Sequence, residues 1–205
     1  MSKTAIIDYA LGNLRSVANA VHALGGEPVI AATPDMLADC DRIILPGVGA
    51  FGDGMDGLRR HGWIAPLTEH VMDKGKPFLG ICLGMQLLAE AGAEHGRHQG
   101  LGWLPGTVEL LETHDPGLRV PHIGWNDVAL RPGSRLFAGL GESACFYFVH
   151  SYVYVPADPA VAAGTCVHGT AFIAAAERDN LFAVQFHPEK SQAAGLAVLR
   201  NFLTA

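Results

Sequence analysis

Short apolar runs alternate with segments of helical spacing through the first half of this chain, and few architectures accommodate that alternation. "TAIIDYA" (4–10) reads as a strand. "LRSVANAVHALGG" (14–26) follows with Leu14, Val17, Val21 and Leu24 on one helical face, closed by glycines that accept left-handed backbone. "EPVIAA" and "DRIILPG" are further strands, separated by a helical turn for which Thr33 is the expected cap. After "GWIAPLTEHVMDKGKP" comes "FLGIC", another strand. Strands separated by helices predict a parallel sheet covered on both faces. The second half differs: "GTVELLE", "FYFVHSYVYV" and "TAFIAAAERDNLFAVQF" read as strands joined by short polar turns, with "ERDN" as a hairpin connection. The chain ends in "SQAAGLAVLRNFLTA", where Leu196, Leu199 and Phe202 or Leu203 form one stripe of a closing helix. With no repeat, linker or low-complexity tract, the expectation is one α/β domain over residues 1–205: a mostly parallel central sheet flanked by helices, with antiparallel strand additions.

Composition narrows the function. Charged residues make up 17% of the 205, against roughly 25% in ordinary soluble domains, and hydrophobic residues 49%. A buried parallel sheet explains that balance, and so does a face covered by a partner. No apolar stretch approaches the ~18 residues of a membrane span. The net charge of -6 and the lack of a basic cluster argue against nucleic acid. "MSKTAIIDYA" has no secretory-signal pattern, so the expected location is the cytoplasm. Cys40, Cys82, Cys145 and Cys166 lie far apart without a Cys-x-x-Cys pair, as reduced thiols do, and suggest neither a disulfide framework nor a zinc site.

One of those thiols sits in "FLGICLGMQLLAE" (78–90), where a strand meets Gly80-Ile81-Cys82-Leu83-Gly84 and continues at helical spacing. Gly-x-nucleophile-x-Gly between strand and helix is a nucleophile elbow, a tight bend that exposes the reactive side chain at the sheet edge. The unpaired N–H groups and dipole of the following helix favour a thiolate there. Gly-x-Cys-x-Gly alone also fits a buried structural cysteine. A thiolate nucleophile needs a proton donor for its leaving group. Among ten histidines, His187 in "AVQFHPEKS" stands out, because an apolar strand runs into His187-Pro188-Glu189 and Pro188 interrupts the ladder at the sheet edge. In extended backbone Glu189 lies on the same side as His187, where its carboxylate fixes the tautomer and favours the imidazolium. His-x-Glu alone also fits a solvated strand end. An oxyanion hole would draw one N–H from Leu83 and a second from "LPGVGAFGDG" (45–54), through Val48 or Gly49. That loop alone also fits a flexible turn or a phosphate cradle, although the Walker and dinucleotide fingerprints are absent.

Taken together, Gly-Ile-Cys-Leu-Gly-Met-Gln and a distant Gln-Phe-His-Pro-Glu resemble the class I, or triad-type, glutamine amidotransferases over nearly the whole chain. The resemblance implies that Cys82 attacks the side-chain amide of glutamine, His187 protonates the departing ammonia and Glu189 orients His187. It implies no cofactor. "DYALGNLRSV", "LPGVGAFGDGM", "VPHIGWN", "YFVHSYVY" and "HPEKS" look like one branch of that family, the glutaminase subunits of imidazole glycerol phosphate synthases. Ala10 departs from the glycine that branch often has.

By that resemblance Gln86, one helical turn beyond Cys82, Glu94, Ser151 and Tyr152 would line the glutamine pocket. Asn13, His122, Trp125, Tyr147 and Lys190 would lie near the contact with a cyclase subunit. The cyclase is a (β/α)8 barrel of about 250 residues, which 205 residues cannot contain, so the expectation is a separate chain. His95 and His98 beside Glu94 raise a metal as an alternative, but no further ligands stand at convincing spacing. Two other readings stay open at this level: a stand-alone cysteine hydrolase such as a γ-glutamyl peptidase, and a regulatory subunit that keeps the fold without catalysis.

Overall fold

The computed structural model describes residues 2–205. Strands β1 (Lys3–Ile7), β2 (Glu27–Ala31), β3 (Arg42–Gly47) and β4 (Phe78–Cys82) are connected through helices α1 (Leu14–Ala23), α2 (Phe51–Arg60) and α3 (Ile64–Thr68). Beyond β4 come the single-turn helix α4 (Leu83–Gln86), then β5 (Ala91–Gly92), β6 (His98–Gln99), β7 (Gly106–Leu110), β8 (His122–Leu130), β9 (Ser143–His150) and β10 (Tyr152–Pro156). Strands β11 (Ala162–His168), β12 (Thr170–Arg178) and β13 (Leu181–Val184) and helix α5 (Gln192–Leu203) complete the chain.

The main sheet has the order β2-β1-β3-β4-β13-β12-β11-β8-β9. From β2 to β13 the pairings are parallel, and from β13 to β9 they are antiparallel. The expected hairpin forms between β12 and β13, turning at Asp179 with φ 52. A smaller sheet, β10-β7-β5-β6, lies apart. Helical spacing becomes packing on both faces of the parallel half. Val17 and Val21 of α1 join Val198, Leu199 and Phe202 of α5 over Ile6, Ile44 and Leu79, while Met55 and Leu58 of α2 and Leu67 of α3 cover Ile7, Ile43 and Leu45.

Register places the carboxyl ends together: Gly47 of β3 stands opposite Cys82 of β4, and Val184 of β13 opposite Ile81. The segments that follow, at 48–50, 83–86 and 185–191, therefore leave one sheet edge side by side, where open α/β sheets bind ligands. Although β9 is the far end of the sheet order, the His187 amide donates to the Tyr147 carbonyl at 2.9 Å. The antiparallel half thus curls until its last strand meets the continuation of β13.

Four expectations need correction. Thr33 precedes the turn at Pro34–Leu37 but its side chain makes no capping hydrogen bond. "FYFVHSYVYV" is two strands broken at Ser151, because β9 pairs with β8 while β10 pairs with β7 in the other sheet. Strand β8 was not anticipated, since Gly124 and Asn126 spoil its apolar alternation. The helix after Cys82 runs for one turn only and makes no capping hydrogen bond with the Cys82 side chain, so the expected long helix behind the sulfur is absent.

Candidate active site

The elbow is strained where a nucleophile is needed. Cys82 has φ 54 and ψ -111, a region that non-glycine residues adopt only when their surroundings enforce it. The enforcement is close packing: a Cβ on Gly84 would lie 1.8 Å from the Leu45 carbonyl oxygen, and one on Gly80 would lie 2.6 Å from the Gly84 carbonyl oxygen. Strand and helix can cross this tightly only with hydrogen at both positions. The Cys82 sulfur lies 4.0 Å from the Val149 carbonyl and 3.7 Å from Nε2 of Gln185.

His187 is buried and its Nδ1 donates to Oε1 of Glu189 at 2.9 Å. Glu189 reaches the ring across the 3-10 turn Pro188–Lys190 rather than along extended backbone, which corrects the expected geometry but not the contact. With Nδ1 engaged, Nε2 is the remaining ring nitrogen and has no hydrogen-bond partner among the described residues. Burial alone would lower the His187 pKa; the neighbouring Cys82 sulfur and Glu189 carboxylate outweigh it and raise the value to about 9.

A cavity of about 510 Å³ collects these groups, and Cys82, Leu83 and His187 line it together with Val48 and Gly49. Gly49 holds φ 100, a backbone state open to glycine at little cost. Gln86, Glu94, Ser151 and Tyr152 line the same cavity. Glu94 already accepts the Phe51 amide at 2.8 Å, so one carboxylate oxygen anchors the start of α2 while the other remains. The Tyr152 carbonyl accepts from Gln86 and from His150, at 2.9 and 3.0 Å, and the Ser151 carbonyl accepts from the Leu111 amide. Both carbonyls are therefore engaged within the protein. His95 lines the cavity, but among the described residues no three His, Cys, Asp or Glu side chains group as a metal site.

A family model described as glutamine amidotransferase class-I matches residues 5–205. The chain belongs to the class I glutamine amidotransferases. Across 98% of its length this amidotransferase is 50% identical to the imidazole glycerol phosphate synthase subunit HisH of Zymomonas mobilis, covering 95% of that relative. It is 47% identical to the subunit of the same name from Geobacter sulfurreducens, with 98% of each chain covered. Among solved structures, PurLQS from Thermotoga maritima superimposes with a TM-score of 0.77 at 22% identity, covering 99% of this chain and 98% of that one, and supports the fold alone.

Trp125 and Lys190 of the amidotransferase are exposed and group with the half-buried Tyr147. Trp125 and Tyr147 are register partners on β8 and β9, their ring centroids are 6.0 Å apart, and the Lys190 ammonium lies 5.8 Å from the centre of the Tyr147 ring. Ile123 and Val149, the next exposed pair along, extend this face and were not singled out from sequence. Asn13 is exposed and accepts the Ser16 amide as the cap of α1. Ala10 holds φ 70, a backbone state that glycine adopts without strain. Among the described residues no helix is long and apolar enough to cross a membrane.

His122 is the exception among the expected contact residues. Strand alternation turns it away from Trp125 and into the interior, where it is 3% exposed and stacked between Phe148 and His168. Its Nδ1 meets Nε2 of His150 at 3.0 Å, and Nδ1 of His150 meets the Tyr152 carbonyl. Burial, helped by the nearby His168, pulls the His122 pKa to about 4. For His150 burial again leads; its bond to the Tyr152 carbonyl opposes, the charges of His122, His168 and His187 assist, and the value falls to about 3.

A test follows from the signs. Below pH 6.5 the unfolded chain protonates His122 and His150 while the folded chain does not until about pH 4 and 3, so stability falls as pH drops through that window. His187 acts oppositely: its contribution is full below pH 6.5 and is lost as pH rises through about 9. Urea unfolding midpoints measured from pH 4 to 10 should decline on both sides of neutrality. The acid-side decline should become shallower in His150→Asn.

Proposed function

We propose that this chain is the glutaminase subunit of an imidazole glycerol phosphate synthase. The Cys82 thiolate attacks the side-chain amide carbon of glutamine, and the C–N bond breaks as the imidazolium of His187 gives its Nε2 proton to the leaving ammonia. A thioester remains. Water, deprotonated by the now neutral His187, adds to it, and glutamate departs as the sulfur regains its charge. Glu189 holds the imidazole in the tautomer this requires and stabilises its cation. One observation carries the reading: a thiol on a strained elbow shares a cavity with an imidazole whose far nitrogen a buried carboxylate has fixed.

Leu83 and the Val48–Gly49 peptide donate to the oxyanion. Gln86, Glu94, Ser151 and Tyr152 hold the rest of the substrate, Glu94 through the oxygen not spent on Phe51. The acceptor of the ammonia is a cyclase on a separate (β/α)8 barrel chain. Free ammonia is protonated in neutral water and useless as a nucleophile, so the two sites dock across a path that excludes solvent. Trp125, Ile123, Val149, Tyr147, Lys190 and Asn13 supply that contact, with Trp125 its aromatic anchor.

Coupling follows from the loop at 47–49, where turning one peptide aims or removes an oxyanion donor, a change typically of about 3 kcal/mol in the barrier. Glutamine hydrolysis measured alone, with the cyclase, and with the cyclase plus its nucleotide ligand should rise on the order of 10²-fold between the first and last conditions. Equal turnover in all three would sink the coupling and favour a stand-alone hydrolase.

A further inference from the structure

Gln185 is wholly buried, carries no charge and is not among the residues lining the cavity, yet its amide nitrogen donates to the Cys82 sulfur at 3.7 Å. A primary amide can face the sulfur with either end, and the two choices have opposite effects. The N–H end stabilises a thiolate; the carbonyl end repels it. Which end faces the sulfur follows from a chain of contacts starting at the Tyr152 carbonyl, which can only accept. It accepts from Gln86 Nε2 at 2.9 Å, which fixes the orientation of the Gln86 amide. The second Gln86 proton goes to Oε1 of Gln185 at 3.0 Å. Gln185 therefore has its oxygen committed to Gln86, and its NH2 is left for the sulfur.

The same carbonyl sets the tautomers behind it. His150 must donate from Nδ1, so its Nε2 accepts from Nδ1 of His122, and Nε2 of His122 accepts from Asn126 at 3.2 Å. Asn126 is itself held by donation to the Val167 carbonyl. Every proton in this buried line has one consistent placement, and such fully satisfied networks resist reorganisation.

We propose that Gln185 is a positioning residue for the nucleophile: held by Gln86, it presents N–H to Cys82 and compensates the thiolate for the Val149 carbonyl on the same sulfur. Hydrogen bonds to an ionised acceptor are roughly twice as strong as neutral ones, so the contact favours the anion over the thiol. Gln86 then acts twice, from the cavity wall toward substrate and through Gln185 toward sulfur. The inference rests on Cys82 being the nucleophile, as proposed above.

Iodoacetamide is a small neutral electrophile that reports on the thiolate without needing the contacts that hold the rest of glutamine. Gln185→Leu, close in size but without a donor, should slow alkylation of Cys82 at pH 7 about tenfold. It should lower kcat for glutamine by a similar factor and leave KM within about twofold. Gln185→Glu keeps an acceptor for Gln86 but places a carboxylate beside the sulfur, and should be slower still. Cooperative unfolding and unchanged synthesis from added ammonia, with the cyclase present, show that each variant is folded. In the unsubstituted protein, the Gln185 side-chain NH2 resonances should shift when Cys82 is alkylated. Wild-type alkylation rates in either folded variant, or unmoved NH2 resonances, would overturn the proposal. Loss of glutamine turnover with normal alkylation would likewise overturn it, and would place the role of Gln185 elsewhere in the proposed reaction.

Discussion

With Cys82 replaced by alanine, glutamine no longer yields ammonia, while the complex with the cyclase still makes product from added ammonium salt. The expected loss of glutaminase activity is large, on the order of 10⁴-fold or more, because removing the nucleophile of a comparable triad costs up to about 10⁶ in kcat. Alanine keeps a β-carbon, so the strained φ of 54 at position 82 is no harder to adopt and the elbow should persist. The measurement is a pair of assays on one preparation, one driven by glutamine and one by ammonia. Loss of both activities would assign Cys82 to folding or assembly, and retention of the first would remove it from the chemistry.

The Gly84→Ala variant tests the scaffold rather than the chemistry. A methyl carbon 1.8 Å from the Leu45 carbonyl oxygen is not a contact that a rotamer change can relieve, since both sides are backbone. Either α4 moves off β3 or the β3–β4 pairing opens. Overpacking a core typically costs 1–3 kcal/mol, and a clash between main chains belongs at or above the upper end. For a chain of this length that is roughly a 10 °C fall in Tm. Because Cys82 sits in the bend that must shift, glutaminase activity should vanish even in the fraction that folds. A thermal melt and a glutamine assay suffice, and an unchanged melting temperature would contradict the packing described for the elbow.

What could be read before folding was what the chain encodes locally. The strand endings at Cys82 and Gly47, the hairpin at Asp179 and the apolar face of α1 each follow from neighbouring residues. The family resemblance rested on the same stretches, and the matches across residues 5–205 agree with it. What escaped depends on partners distant in sequence. Nothing within "YFVHSYVY" marks Ser151 as the point where the chain leaves one sheet for another, because every residue around it favours strand; the change is in what each half pairs with. The family resemblance puts His122 near the partner contact together with Trp125, although an odd separation along a strand turns the two side chains to opposite faces. The same rule would have found Gln185, two positions before His187 in an extended run, had it been applied toward the amino end as well. Ile123 and Val149 are ordinary strand residues in sequence, and only the pairing of β8 with β9 sets them side by side, with Val149 at the cavity.

The closure of β9 onto the segment after β13 has a consequence beyond catalysis. As the terminal strand of the main sheet, β9 would normally leave main-chain donors and acceptors open to another molecule's strand, the usual seed of aggregation. Here the outward N–H and C=O of Tyr147 are taken by the Ser191 hydroxyl, at 3.0 Å, and by the His187 amide. The stretch that carries the acid-base pair thus also caps the rim of the sheet at Tyr147, so selection against misassembly and selection for turnover fall there on the same few residues.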